Sequence, residues 1–208
     1  LKEEENKSNA LLKMGDVYYF GRGVVQQNYL NAKKYYELSS KLKNSIALIK
    51  LGNLFENGLG VQRDYLKAKY YYEQSAKLND SNALINLGNL FENGLGVEQD
   101  YSKAKEYYEL SAKQNNSNAF IFLGNLYYFG CGVKRNYEKA KENYELSFGR
   151  YRVGEGSPTE LKDSENTYEQ AQLTYYTALY EYNSARAQLE KAIGKNLLTD
   201  DEVVELIN

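Results

Sequence analysis

The chain contains no histidine and no tryptophan, and only one proline, one cysteine and one methionine. Histidine is the usual general base and the commonest metal ligand, so its absence removes the side chain on which many catalytic and metal sites depend. A single cysteine cannot form an intrachain disulfide, and we interpret Cys131 as a small apolar filler. We therefore expect no enzymatic activity, no catalytic residue, no metal site and no cofactor.

A strong charge of either sign and a long apolar run are also missing. Lys and Arg number 26 and Asp and Glu 28, a net charge of −2, which lacks the basic field that attracts nucleic acid. No apolar stretch approaches the ~18 residues of a membrane-spanning helix. The sequence starts at Leu1 without a visible signal peptide. We expect a periplasmic or secreted protein if a signal peptide precedes Leu1, and a cytoplasmic one otherwise.

An internal repeat is the main feature that the chain does contain. The segment Leu51–Val61, LGNLFENGLGV, recurs letter for letter at Leu87–Val97, and diverged copies lie at 13–24 and 123–133. The first glycines of the four copies, separated by 37, 36 and 36 residues, are Gly15, Gly52, Gly88 and Gly124. A fixed period of this size predicts a solenoid of repeated helical units.

Each unit is predicted to contain two helices. In the third unit Ser81 is the expected N-cap of helix A, and the apolar residues that follow have helical spacing. Asp100 is the expected N-cap of helix B, which turns Ala104, Tyr107, Tyr108 and Ser111 inward. The predicted helix starts, taken over all four units, are Ser8, Ser45, Ser81 and Ser117 for helix A and Tyr29, Tyr65, Tyr101 and Tyr137 for helix B. The glycine inside every helix A indicates that another helix approaches closely there.

The repeated pattern SNAxxxLGxLFxxGxGVxxDYxKAxxYYExSA resembles the Sel1-like repeat, a relative of the tetratricopeptide repeat. The resemblance implies a non-catalytic protein-interaction scaffold whose A helices line the concave side of an α/α superhelix. We predict an all-α fold, an α/α superhelical solenoid of four Sel1-like repeats followed by a long coiled-coil-type helix. The solenoid is expected over residues 1–147, with repeats at about 8–43, 44–79, 80–115 and 116–147.

Three rows of side chains are predicted to line the concave groove and to bind a peptide or protein. The carboxamide row, with one carboxylate, is Asp16, Asn53, Asn89 and Asn125. The apolar row is Leu12, Ile49, Ile85 and Ile121, and the third row is Tyr19, Glu56, Glu92 and Tyr128. Carboxamides both donate and accept hydrogen bonds, as a peptide backbone requires. An alternative remains open, in which these Asn residues bond neighbouring repeats or only face solvent.

The repeat pattern stops after Ser147, and a seven-residue period replaces it. A hairpin extension is predicted over 148–208, with a long helix at about 158–193 and a short terminal helix at about 199–207. Large and small residues alternate along a seam formed by Leu161, Tyr168, Tyr175, Tyr182 and Leu189 and by Ala171, Ala178, Ala185 and Ala192. Such a seam predicts self-association or docking on another chain.

The same tail resembles the second helical hairpin of TolC-type outer-membrane efflux proteins. RYRVGEGSPTELKD is similar to the periplasmic tip turn, and the residues after it are similar to the helix that returns from the tip. The resemblance implies that Val153, Gly154 and Ser157 contact a periplasmic adaptor protein. An alternative function follows from it: the chain is a component or fragment of an outer-membrane efflux system.

Overall fold

The computed structural model describes residues 2–152 and isolated positions between 169 and 188, and all its regular structure is helical. Within residues 2–152 there are eight α-helices and no strand. Their bounds are α1 Lys2–Phe20, α2 Tyr29–Lys41, α3 Ser45–Asn57, α4 Tyr65–Ala76, α5 Ser81–Asn93, α6 Tyr101–Lys113, α7 Ser117–Phe129 and α8 Tyr137–Arg152. The predicted all-α class is confirmed.

The helices pack in consecutive pairs, as a repeat solenoid requires. Helix α1 packs on α2, α3 on α4 and α5 on α6, and each pair contacts the next pair in the chain. All four B helices begin at the predicted tyrosines, whereas α1 begins at Lys2 and not near Ser8. The earlier start follows from Glu3, Glu4 and Glu5, because acidic residues in the first turn interact favourably with the helix dipole.

The helix caps lie one residue earlier on the A helices than the sequence indicated. Asp80, not Ser81, is the N-cap of α5: its backbone is extended and its carboxylate accepts the N–H of Asn82. Ser81 is already helical. On the B helices the predicted cap is confirmed, since Asp100 accepts the N–H of Lys103 at 3.0 Å. Satisfying otherwise unpaired N–H groups in this way fixes where each helix begins.

In the core of each repeat a tyrosine ring of the B helix packs directly against the glycine of the A helix. The rings of Tyr36, Tyr72 and Tyr108 are fully buried, and a Cβ added to Gly88 would lie only 2.7 Å from Cδ1 of Tyr108. The glycines therefore accommodate an aromatic side chain of the B helix rather than a helix backbone. Fully buried alanines and serines of the B helices, such as Ala104 and Ser111, complete the contact.

The chain divides into two compact units, Leu1–Ser147 and Phe148–Asn208, and only the first is described in continuous form. The domain and repeat limits drawn from the sequence stay predictions. The predicted seam residues and the short helix at 199–207 lie outside the described residues. So does nearly all of the predicted long helix, of which eight positions are described.

Candidate functional site: the exposed face of the A helices

The exposed sides of α1, α3, α5 and α7 form one surface, which we call the A-helix face. Contacts between neighbouring A helices show that their exposed residues adjoin. Asn116, the N-cap of α7, donates to Asn82 Oδ1 of α5 at 2.9 Å, and Lys50 of α3 lies 3.8 Å from Asp16 of α1. The predicted rows of groove residues therefore lie on adjacent helices of a shared surface.

A pocket of about 360 Å³ opens on this face between α5 and α7. It brings together three residues of the predicted rows, Ile85, Asn89 and Ile121. The remaining lining residues are Asn82, Asn86, Asn118 and Phe122. The pocket thus combines four carboxamides with three apolar side chains.

Sequence reasoning missed the last four of these residues. Asn82 precedes Ile85 by three positions and Asn89 by seven, so it continues the same helical stripe by one turn. The SNA triplet recurs in three of the four units, and this was the signal that could have extended the predicted rows. Phe122 carried no such signal, because Lys13, Lys50 and Asn86 occupy its position in the other repeats.

The Asn and Asp row is held from behind by the core tyrosines. Each hydroxyl lies within hydrogen-bonding distance of an Oδ1 atom on the A helix of its own repeat. The pairs are Tyr36–Asp16 at 2.7 Å, Tyr72–Asn53 at 2.6 Å, Tyr108–Asn89 at 2.7 Å and Tyr144–Asn125 at 2.7 Å. The row therefore bonds within its own repeat, a partner that neither sequence interpretation had named. All four side chains remain half-buried at the surface.

Glu56 and Glu92 provide a second acceptor for two of these tyrosines. Oε2 of Glu56 lies 2.5 Å from the Tyr72 hydroxyl, and Glu92 contacts Tyr108 in the same way. A phenol has one proton, and the charged carboxylate is the stronger acceptor. All three groups would be satisfied with the amide O and N of Asn53 exchanged, so that Nδ2 donates to the hydroxyl and the hydroxyl donates to Glu56. In that arrangement Oδ1 of Asn53 is available to a partner.

The pKa values of the core tyrosines respond to this environment. Burial, followed by the hydrogen bond to Glu56, raises the pKa of Tyr72 well above its usual value, and Tyr108 beside Glu92 behaves alike. Burial also raises the pKa of Tyr36, with a further contribution from Asp16. The hydroxyls therefore remain protonated donors at neutral pH and have the character of structural anchors.

The third row changes from acidic to aromatic at the ends of the solenoid. The position of Glu56 and Glu92 is occupied by Tyr19 in the first repeat and Tyr128 in the fourth. Tyr19 makes edge contacts with Phe20 and Tyr29, and Tyr128 does so with Phe129 and Tyr137. Both end clusters therefore combine rings from the A helix with the first tyrosine of the B helix.

The apolar row contributes to the core as well as to the face. Ile85 is only 6% exposed and belongs to the cluster of Phe91, Tyr108 and Leu123, and Ile49 packs against the cluster before it. Ile121 is half-buried and lines the pocket. Truncating Ile85 would consequently disturb the fold, so this residue cannot report on binding alone.

Some predicted site residues are not placed on this surface. Val153, Gly154 and Ser157, the expected adaptor contacts, lie outside the described residues. Across the described part of the chain no group of acidic or cysteine side chains could hold a metal ion. Nor does any described helix have the length and apolarity needed to cross a membrane.

A family model for the Sel1 repeat matches the chain four times, at residues 8–44, 45–80, 81–116 and 119–148. The chain belongs to the Sel1 repeat family. Sel1 repeats generally serve as protein-interaction scaffolds and are typically non-catalytic, which agrees with protein partners for this chain. The family match ends at residue 148, and no comparison supports the resemblance of the tail to TolC-type proteins.

Solved structures share the fold. A Sel1 repeat protein from Oxalobacter formigenes is 24% identical, with a TM-score of 0.63 over 82% of this chain and 73% of that one. The protective antigen c5321 of uropathogenic Escherichia coli strains, which has an SLR fold, is 24% identical, with a TM-score of 0.61. That match covers 84% of this chain and 42% of c5321. No curated protein sequence matches the chain.

Proposed function

We propose that the chain is a non-catalytic scaffold that binds a peptide or protein segment on the A-helix face of its Sel1 repeats. The observation that carries this proposal is the pocket between α5 and α7, where carboxamides surround Ile85, Ile121 and Phe122. Apolar side chains that are combined with polar groups able to orient a ligand are typical of a binding site.

The chemistry of the pocket suits an extended backbone. A peptide in this conformation presents N–H and C=O groups at regular intervals, and a carboxamide can pair with either. Asn86 and Asn89 lie on α5 and Asn118 on α7, so both helices that line the pocket contribute polar groups beside its apolar side chains. One apolar side chain of the partner would enter between them.

Peptide selection on the immobilised full chain tests this function. Peptides from a random library that bind the wild type should lose most of their affinity for Asn86→Arg, because the longer side chain fills the pocket. Leu110→Arg is the matched control: it adds the same charge on α6, where Leu110 is 46% exposed. Absence of enriched peptides, or equal binding to both variants, would refute the proposal.

Replacing Asn53, Asn89 and Asn125 together by Ala is a less decisive test. Each of these side chains contacts a buried tyrosine hydroxyl, and removing it leaves that hydroxyl with fewer partners, at a cost of about 1–3 kcal/mol. Lost binding would then reflect a weakened fold as readily as a lost contact. Asn86 avoids this ambiguity because it makes no hydrogen bond to a core tyrosine.

The resemblance of residues 148–208 to a TolC-type hairpin supports the alternative proposal, an efflux component that engages a periplasmic adaptor. Titrating the full chain with such an adaptor, and repeating the titration with Gly154→Arg, tests it. Binding that the substitution does not change would contradict contact at the tip. Self-association through the heptad seam is tested by sedimentation of the chain with and without residues 159–208, where the same number of chains per particle in both refutes it.

A further inference from the structure

The A-helix face has an acidic centre and an aromatic cluster at each end. In the two inner repeats α3 and α5 end with Glu56-Asn57 and Glu92-Asn93. At the same positions of the outer repeats, α1 ends with Tyr19-Phe20 and α7 with Tyr128-Phe129. Phe20 is 47% and Phe129 61% exposed, so a large part of each ring faces outward. A partner that crosses all four A helices meets these zones in order.

The two carboxylates at the centre have no neutralising cation among the described residues. On the B helices, by contrast, glutamates are paired with a lysine one turn earlier, as in Lys69–Glu73 at 2.6 Å and Lys105–Glu109 at 2.9 Å. Asp16 on the same face is paired with Lys50. Glu56 and Glu92 interact with tyrosine hydroxyls, which hold each carboxylate in place without cancelling its charge.

Given the proposed binding face, we infer that its partner is an extended segment with two basic side chains between two apolar ones. The basic side chains pair with Glu56 and Glu92, which are pre-oriented by Tyr72 and Tyr108. The apolar side chains contact the rings of Phe20 and Phe129 at the two ends. Lys50, beside Tyr19 and Phe20, discourages a third cation at the first repeat.

Helix spacing sets the register of this segment. Packed helices lie about 8–10 Å apart, and a chain in the extended polyproline II conformation advances about 3.1 Å per residue and turns once every three residues, so every third side chain points to the same side. Side chains that reach successive A helices are therefore about three residues apart. The pattern is apolar-x-x-basic-x-x-basic-x-x-apolar, where x is any residue.

The test uses a synthetic peptide of this pattern with leucine at the apolar and lysine at the basic positions, titrated into the full chain. Glu56→Gln and Glu92→Gln remove the charge but keep an oxygen for the tyrosine hydroxyl. The double variant should bind about tenfold more weakly and lose most of the salt dependence. Glu37→Gln with Glu73→Gln is the control, since these carboxylates lie on B helices and are already paired; it should bind like the wild type.

Two further peptides define the outcome. One has the lysines adjacent, and the other has them replaced by glutamate; both should bind at least about tenfold more weakly than the patterned peptide. The inference is overturned if the patterned peptide does not bind, if the spacing has no effect, or if both double variants behave alike. Library peptides that depend on Asn86 yet lack basic residues would retain the binding function and refute only this specificity.

Discussion

Replacing Gly88 by Ala should destabilise the protein, although alanine is the better helix former. The position lies inside α5, where glycine costs about 1 kcal/mol relative to alanine in an unconstrained helix. A Cβ there would, however, lie 2.7 Å from Cδ1 and 2.9 Å from Cζ of Tyr108. That ring is fully buried and its hydroxyl is bonded to Asn89 and Glu92, so it cannot move aside.

The magnitude follows from the balance of these two effects. Overpacking a dense core costs about 1–3 kcal/mol, and the several close ring contacts place Gly88→Ala at the upper end, about 3 kcal/mol. Subtracting the helix preference of about 1 kcal/mol leaves a net loss of about 2 kcal/mol, or about 4–8 °C in melting temperature for a chain of this size. Gly149, inside α8, is the matched control because a Cβ there meets nothing within 4 Å.

Urea and thermal unfolding followed by far-ultraviolet circular dichroism give the readout. Gly149→Ala should stabilise the chain by up to about 1 kcal/mol, whereas Gly88→Ala should destabilise it. In a Tyr108→Leu background the ring is gone, and Gly88→Ala should then cost less than in the wild type. A stabilising Gly88→Ala, or a cost that is independent of Tyr108, would show that the ring contact does not explain the glycine.

The other predictions concern hydrogen bonds and titrating groups. Ser111→Ala should cost about 1 kcal/mol in urea unfolding, because its Oγ donates to the Ser81 carbonyl at 2.9 Å. Ser147→Ala should be neutral or stabilising, since its buried Oγ has no hydrogen-bond partner among the described residues. Equal losses for the two variants would contradict this. The pKa values of Tyr36, Tyr72, Tyr108 and Tyr144 are raised by burial, so their contribution to stability is present below about pH 10 and is lost as the pH rises. Spectroscopic titration should show four tyrosines that ionise only on unfolding, and a single early transition of all tyrosines would refute it. Hydrogen bonds from the Lys67 and Lys103 backbones lower the pKa of Asp64 and Asp100, so this stabilisation is present above about pH 4 and is lost as the pH falls. Replacing both by Asn, which caps α2 and α8 at the same position, should reduce the loss of unfolding free energy below about pH 4. The same loss as in the wild type would argue against this role of the two aspartates.

The repeat period predicted the helices because the same letters return in the same structural context. The starts of all four B helices and the inward positions of Ala104, Tyr108 and Ser111 followed from that recurrence. The A-helix caps were displaced by one residue because Asp80 and Ser81 both favour an N-cap, and only the backbone angles distinguish them. Helix boundaries of this kind depend on conformation rather than composition.

The contacts behind the A-helix face could not be predicted in the same way. A glycine inside every A helix indicated a close neighbour, but the sequence did not show that the neighbour is the ring of a tyrosine on helix B. The hydrogen-bonding contacts of the Tyr72 hydroxyl with Asn53 and Glu56 join residues 19 and 16 positions apart, and they depend on the register between two helices. Periodicity fixes what recurs along the chain and does not determine that register.

Stability and ligand choice depend on residues in different turns of each A helix. In every repeat, glycine and the following Asn or Asp position the core tyrosine, so these residues vary little. One turn later, the third row changes from Tyr19 to glutamate and back to Tyr128, although the backbone around it is constant. A position that varies while the glycine and the Asn or Asp beside it recur is less constrained by the core than they are, and it is there that a solenoid can acquire specificity. Charge-neutralising substitutions of Glu56 and Glu92 should therefore alter what binds far more than how stably the chain folds.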